Sequence, residues 1–233
     1  MDFSLTEQQE ILRRSAREFL EAECPTSLVR EAEELGAGHA PDLWKKMAGL
    51  GWLGISLPEQ YGGTGGSVTD QAVLFEEIGR ALAPGPLFTS SVLAAQVVLN
   101  AGNDAQKDNL IPRVVSGEAI LTLARGDRLE TASRDGGLTL SGESPFVPYA
   151  GIANHIICAT RPVIGAWPDT TLVLVDAQAN GVFKTAMEST ANYPQYLVEF
   201  DDVLVPNDAG LGAIAGGRPA LDHAVQRATV IQC

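Results

Sequence analysis

Residues 51–66 read Gly51-Trp-Leu-Gly-Ile-Ser-Leu-Pro-Glu-Gln-Tyr-Gly-Gly-Thr-Gly-Gly66, and this stretch decides how the first half of the chain is built. Gly51 is placed to stop a helix, a short apolar segment runs to Pro58, and a four-glycine turn follows. Ser67 and Asp70 then stand at capping-box spacing ahead of Ala72, Phe75, Ile78 and Leu82, an apolar face at helical period. The pattern predicts a helix–turn–helix joint with a mobile connector. Its glycines match neither G-x-G-x-x-G nor a Walker loop, so a structural turn is preferred to a phosphate cradle.

Working outward, residues 4 to about 117 read as helices. Ser4 with Glu7 makes a capping box, and Leu12, Ala16, Phe19 and Leu20 form a stripe. Pro41 suits a first helical position, followed by apolar Leu43, Trp44, Met47 and Leu50. Glu76 and Arg80 fall at i, i+4. Two further helices are predicted, over 87–101 with Gly102 as stop and over 104–115 with Asp104 as N-cap. After Gly117 the texture changes to short β-branched runs at 119–124, 138–140, 155–160, 171–176 and 195–200, separated by Gly, Pro, Asn and Asp. Tyr196, Val198 and Phe200 alternate with Gln195, Leu197 and Glu199, as in a half-buried strand. From Gly216 the pattern is helical again, with Leu221, Val225 and Ala228 on one face, and the chain stops at Cys233 without a cap, which reads as a truncated element. The expected class is α+β multidomain: an N-terminal all-α helical bundle (1–118), a small antiparallel β-barrel or sandwich (119–210), and the start of a C-terminal helix (211–233).

With 233 residues, 45% of them hydrophobic, the chain can bury a substantial core. Its 29 acidic against 16 basic residues exclude nucleic acid and an anionic membrane surface as partners. They leave room for an anionic cofactor, which a few arginines or a helix N-terminus can bind locally. Cys24, Cys158 and Cys233 are far apart and show no CxxC spacing, so neither a disulfide framework nor a metal site is indicated. The N-terminus Met1-Asp-Phe-Ser is not a signal peptide, and no run approaches the roughly 18 apolar residues of a membrane span. These features predict a cytoplasmic protein with no membrane segment. His39, His155 and His223 lack a neighbouring nucleophile pattern and read as structural, as do Trp44 and Trp52. Glu76 and Glu77, adjacent on a helix, point in different directions and do not form an acid–base pair.

Four segments carry a family resemblance. They are Leu5-Thr-Glu-Gln-Gln9, the 51–66 joint with Glu76-Glu-Ile-Gly-Arg80, Gln106-Lys-Asp-Asn-Leu-Ile-Pro-Arg-Val-Val-Ser-Gly-Glu118, and Phe200-Asp-Asp-Val-Leu-Val-Pro206. In this order they resemble the flavin-dependent acyl-CoA dehydrogenases. The resemblance implies FAD as cofactor and an acyl-CoA substrate. The implied reaction is α,β-desaturation with hydride transfer to flavin. An electron-transfer flavoprotein or similar acceptor and a homo- or hetero-oligomer are implied as partners. By the same resemblance the flavin lies against Leu123, Ala124 and Gly126 from one strand end, and Phe146, Val147 and Pro148 from the next.

The departures from the family pattern are equally specific. Where most members carry Thr-Glu-Pro-x-x-Gly-Ser-Asp, this chain has Leu123-Ala-Arg-Gly-Asp127. Where the family has Trp-x-Thr/Ser, it has Phe146-Val-Pro148, keeping an aromatic wall but losing a donor. Phe146 reads equally as ordinary core, and Arg125 and Arg128 read as solvated in preference to meeting phosphates. The family's glutamate base sits in some members just before an arginine on the last helix seen here; the comparable pair is Gln226-Arg227, so no catalytic residue is assigned. Two alternatives therefore stand beside a desaturase: a non-catalytic partner subunit of a heteromeric enzyme, and an acyl-CoA binding module without redox activity.

Overall fold

Helix α1 (Glu7–Glu23) starts where Thr6, not Ser4, caps it. The Gln9 backbone N–H donates to Thr6 Oγ1 at 3.3 Å, and Gln9 Oε1 accepts from the Thr6 N–H at 3.0 Å. A glutamine serves better than the expected Glu7 because its amide nitrogen is left to donate to Asp70 Oδ1 at 2.8 Å, tying the start of α1 to the start of α4 (Val68–Arg80). Between them lie α2 (Thr26–Glu34) and α3 (Pro41–Gly49). The structure is a computed structural model describing residues 4–36, 38–134, 137–162, 170–189 and 193–232. Met1-Asp-Phe3 and Cys233, on which the leader and chain-end readings rest, lie outside the described residues.

The 51–66 joint forms as read at both ends. Gly51 ends α3 at φ +75, and the Ser67–Asp70 capping box opens α4. Its connector is not loose. Backbone N–H groups of Thr64, Gly65 and Gly66 donate to the carbonyls of Gly54, Leu57 and Ile55 at 2.8–3.0 Å. A side chain at Gly63 would put its Cβ 2.1 Å from the Leu57 oxygen, so the close return requires glycine. The predicted 87–101 helix opens with a π-helical turn, Phe88–Ala94, and continues as α5 (Ala95–Ala101). In α6 (Asp104–Val115) the cap is Asn103, one residue before the expected Asp104.

The β region is one seven-stranded sheet in the order β5-β6-β2-β1-β3-β4-β7. Its strands are β1 (Leu121–Arg134), β2 (Gly137–Pro148), β3 (His155–Pro162), β4 (Thr171–Asp176), β5 (Val182–Met187), β6 (Gln195–Pro206) and β7 (Gly210–Leu211). All pairs are antiparallel except β1–β3, which is parallel, and among the described residues the sheet does not close into a barrel. The long strands bend at bulges. β1–β3 pairing lapses between Arg125 and Glu130, and β2–β6 pairing shifts between Leu140 and Gly142. The final helix α7 (Arg218–Gln232) packs back across α5 and the π-helical turn.

Helices and sheet share their cores. One cluster joins Leu20, Trp44 and Leu74 to Ala124, Leu140 and Val198. A second joins Val98 and Leu110 to Ile157, Leu172 and Leu221. Trp44 Nε1 donates to the Gly117 carbonyl at 3.0 Å, fixing the chain where it leaves the helices for β1. Cys24 and Cys158 are free thiols, and burial pushes both up from the ordinary range.

Candidate functional site

The bulges of β1 and β2 leave two strand ends side by side, and α7 and the π-helical turn face them across a cavity of about 910 Å³. Strand alternation sorts the six residues singled out from sequence. Leu123, Gly126, Phe146 and Pro148 line the cavity. Ala124 and Val147 point the other way and are buried in the core behind it.

Phe146 stands at φ +58 with 61% of its surface exposed, so its ring is neither ordinary core nor in a relaxed conformation. Pro148 has no N–H to offer, and its carbonyl accepts from Thr122 Oγ1 at 2.6 Å. The Ser144 hydroxyl is spent on the Arg125 carbonyl at 3.0 Å. On the sheet side, Thr160 Oγ1 lies 3.2 Å from Thr131 Oγ1 and 3.3 Å from the Thr171 carbonyl. On the helical side, Thr89 Oγ1 and the Tyr193 hydroxyl pair at 3.0 Å. The hydroxyls around the cavity are therefore engaged with the protein, and the walls they leave are apolar: Leu93, Leu123, Ala159, Leu221, Val225 and Ala228.

Charge enters at two places. Arg125 is exposed at the cavity, whereas Arg128 turns away to pair with Glu143. On α7, Asp222 faces the cavity with Arg218 Nε 2.7 and 2.8 Å from its two oxygens, one turn away on the same helix. Gln226 is exposed and is not among the cavity-lining residues. Arg227 is half-buried, its Nε has no hydrogen-bond partner, and burial holds its pKa below the usual arginine range. Chemically, the cavity can take a flat or elongated apolar group with an anionic part near Arg125. It presents one carboxylate among the described residues, neutralised by its own arginine.

The histidines lie elsewhere. His223 Nδ1 meets Asn100 Nδ2 at 3.0 Å, His39 packs edge-on against Trp44, and burial holds His39 and His155 below the ordinary imidazole range. Among the described residues there is no group of His, Cys, Asp and Glu side chains arranged to hold a metal, and no helix is long and apolar enough to cross a membrane. Sequence reasoning missed Thr89, Tyr193, Arg218 and Asp222. The α7 pair had a readable signal: Arg218, Leu221, Asp222, Val225 and Thr229 recur at i, i+3, i+4 spacing, on the side of the helix where the sequence pointed to Leu221, Val225 and Ala228.

Residues 6–118 match the acyl-CoA dehydrogenase, N-terminal domain family. Acryloyl-CoA reductase (NADH) of Anaerotignum propionicum is 35% identical over 120 residues, covering 50% of this chain and 29% of that protein. The crystal structure of the ChsE4-ChsE5 complex from Mycobacterium tuberculosis contains a chain that is 26% identical with a TM-score of 0.89, covering all of this chain and 63% of its own. A glutaryl-CoA dehydrogenase from Mycobacterium smegmatis in complex with FADH2 shares the fold, with TM-score 0.86 at 18% identity over 97% of this chain and 61% of that one. The chain thus spans less than two thirds of the length of each.

Proposed function

We propose that this chain, whose residues 6–118 match the acyl-CoA dehydrogenase N-terminal domain family, forms the flavin-facing part of an FAD-dependent oxidoreductase acting on the α,β bond of an acyl-CoA thioester. The observation that carries the reading is Phe146. An L-residue in the left-handed region costs on the order of 1–2 kcal/mol, and an exposed aromatic ring adds unfavourable hydration. Both are accounted for if a planar apolar group covers the ring. The cavity of about 910 Å³ lies within the span of roughly 300–1,000 Å³ common to small-molecule sites.

These residues fit a flavin ring. Leu123 and Pro148 would flank it, Gly126 would let it approach the β1 backbone, and Arg125 would meet negative charge on it or on its phosphates. Flavin, when bound, supplies a two-electron hydride acceptor or donor. The chain's own part is to hold the acyl group against that surface and to exclude water with Leu221, Val225 and Ala228 of α7. Within this proposal the helical bundle is 1–118, the β unit 119–210 and the closing helix begins after 211. The protein works in the cytoplasm as an oligomer and exchanges electrons with an electron-transfer flavoprotein or similar carrier.

The test is the visible absorption spectrum of the freshly purified full-length protein beside its Phe146→Ser variant. Stoichiometric flavin bands in the wild type, reduced in the variant, support the reading; a colourless wild type that does not take up added FAD overturns it.

A second reading is that of a partner subunit in a heteromeric enzyme. The proton-accepting position is the amide Gln226, which lies off the cavity, and Asp222 is neutralised by Arg218. Inactivity of the purified protein, restored by adding a second family member that co-elutes with it, would favour this reading over the first.

A further inference from the structure

We propose that the Thr89–Tyr193 hydroxyl pair reads a neutral oxygen on the acyl group, so that the cavity selects hydroxy- or keto-substituted acyl thioesters over plain alkyl ones. The proposal rests on the acyl-CoA reading above and specifies its substrate class. Hydroxyl protons around the cavity can be followed one by one. Ser144 gives its proton to the Arg125 carbonyl at 3.0 Å, and Thr122 gives its own to the Pro148 carbonyl at 2.6 Å. Thr160 donates to the Thr171 carbonyl at 3.3 Å, which leaves it to accept from Thr131 at 3.2 Å. Thr229 donates to the Val225 carbonyl at 2.8 Å. Each of these chains ends on a backbone acceptor.

The Thr89–Tyr193 pair does not. Its two O–H groups share a single contact at 3.0 Å, and neither side chain has a second hydrogen-bond partner among the described residues. Whichever group donates, one proton is surplus. Burial assigns it to Tyr193. Thr89 is 1% exposed, so its proton is confined to the phenol oxygen, whereas Tyr193 is half-buried and has room at the cavity wall. Burial pushes the Tyr193 phenol up from its ordinary range, and the Thr89 hydrogen bond opposes the rise, as a hydroxyl donating to the phenol oxygen does.

The surroundings decide what that proton can meet. Leu93 on the same π-helical turn and Leu123 and Ala159 from the sheet line the cavity with it, and their side chains offer no acceptor. An alkyl chain filling the cavity displaces water from the phenol and leaves its donor unpaired. An oxygen carried by the acyl group pairs it. A site that hydrogen-bonds a ligand oxygen rejects the analogue lacking it far more strongly than an apolar pocket rejects a missing methylene. The pair is uncharged and Arg218 is committed to Asp222, so a neutral oxygen matches it better than a carboxylate.

Tyr193→Phe removes the proton and keeps the ring in its edge-on contact with Tyr149. The test is titration calorimetry of the full-length wild type and variant with octanoyl-CoA and with keto-octanoyl-CoAs whose ketone is moved stepwise along the chain. At least one ketone should bind the wild type roughly tenfold or more tightly than octanoyl-CoA. Tyr193→Phe should close that gap by weakening the ketone, with octanoyl-CoA affinity held or raised. The wild-type comparison decides without any variant: if no ketone gains over octanoyl-CoA, the proposal is overturned. A gap that survives in Tyr193→Phe also overturns it, and either result leaves the acyl-CoA reading intact. Failure of the wild type to bind any of these thioesters overturns both.

Discussion

Glu77 on α4 keeps only 1% of its side chain in contact with solvent, and Arg17 of α1 donates to both its oxygens, at 2.9 and 2.6 Å. Arg80 lies 3.4 Å from the same carboxylate. The hydrogen bond from Arg17 holds the Glu77 carboxyl below its ordinary range against the opposing effect of burial. A folded-state pKa below the unfolded value contributes stability that is complete above the unfolded carboxylate value of about 4.3. That contribution is lost as pH falls through the folded value. Glu77→Gln should therefore cost about 1.5–3 kcal/mol at neutral pH and flatten the acid limb, read from urea midpoints measured down the pH scale. The sequence offered Glu76–Arg80 as the helix pair, but spacing along one helix says nothing of a partner sixty residues away. Arg80 reaches Glu21 instead. Phe146 makes the complementary case, where local strain serves the site. Phe146→Gly should raise stability by up to about 1 kcal/mol by relieving the left-handed conformation, while lowering flavin content; thermal melting and absorbance on one sample check both.

At the scale of elements, the π-helical turn Phe88–Ala94 does more than start α5. Its Ser90 side chain is wholly buried and its hydroxyl accepts the Leu121 N–H at 3.0 Å, satisfying the first residue of β1. Neighbouring Thr89 meets Tyr193, so one wide turn joins the strand entrance to the cavity wall. Ser90→Ala leaves a buried N–H without its partner and should cost about 1–3 kcal/mol in denaturant unfolding, whereas Ser90→Thr, which keeps the oxygen, should recover part of it. Elements with strong local punctuation were legible: Gly51, Pro41 and the Ser67–Asp70 box lie where their chemistry places them. Helix α2 follows Pro25 with no side-chain cap, and its stripe is brief, half-buried Leu28 and Val29 beside buried Ala32, so little punctuation announced it. Strand β5 is an edge strand without a buried face, and β1 runs ten residues beyond the apolar run that announced it because pairing with β2 extends it. Strand length is set by a partner, and a partner is not a local property.

Over the whole molecule, the compositional shift near 117–120 marks a change of element type, and the packing runs across it. Leu20, Trp44 and Leu74 share a core with Ala124, Leu140 and Val198, while Val98 and Leu110 share another with Ile157, Leu172 and Leu221. The cavity is a product of the same closure. Its strand-end residues could be named from a motif because they are contiguous, but Thr89, Tyr193, Arg218 and Asp222 come from segments brought together only when helices fold onto the sheet and α7 returns across them. If the cores are shared, helices and sheet should unfold together. Denaturant unfolding followed by far-ultraviolet circular dichroism, dominated by the helices, and by exchange protection of the β3 amides should give one midpoint. Two separated midpoints would mean that the boundary divides independent folding units. The distinction bears on function, because the cavity takes Phe88 and Leu93 from the helical side and Leu123 and Ala159 from the sheet. A single cooperative unit keeps the two walls of that cavity in register, and independently melting halves would let them part without a ligand.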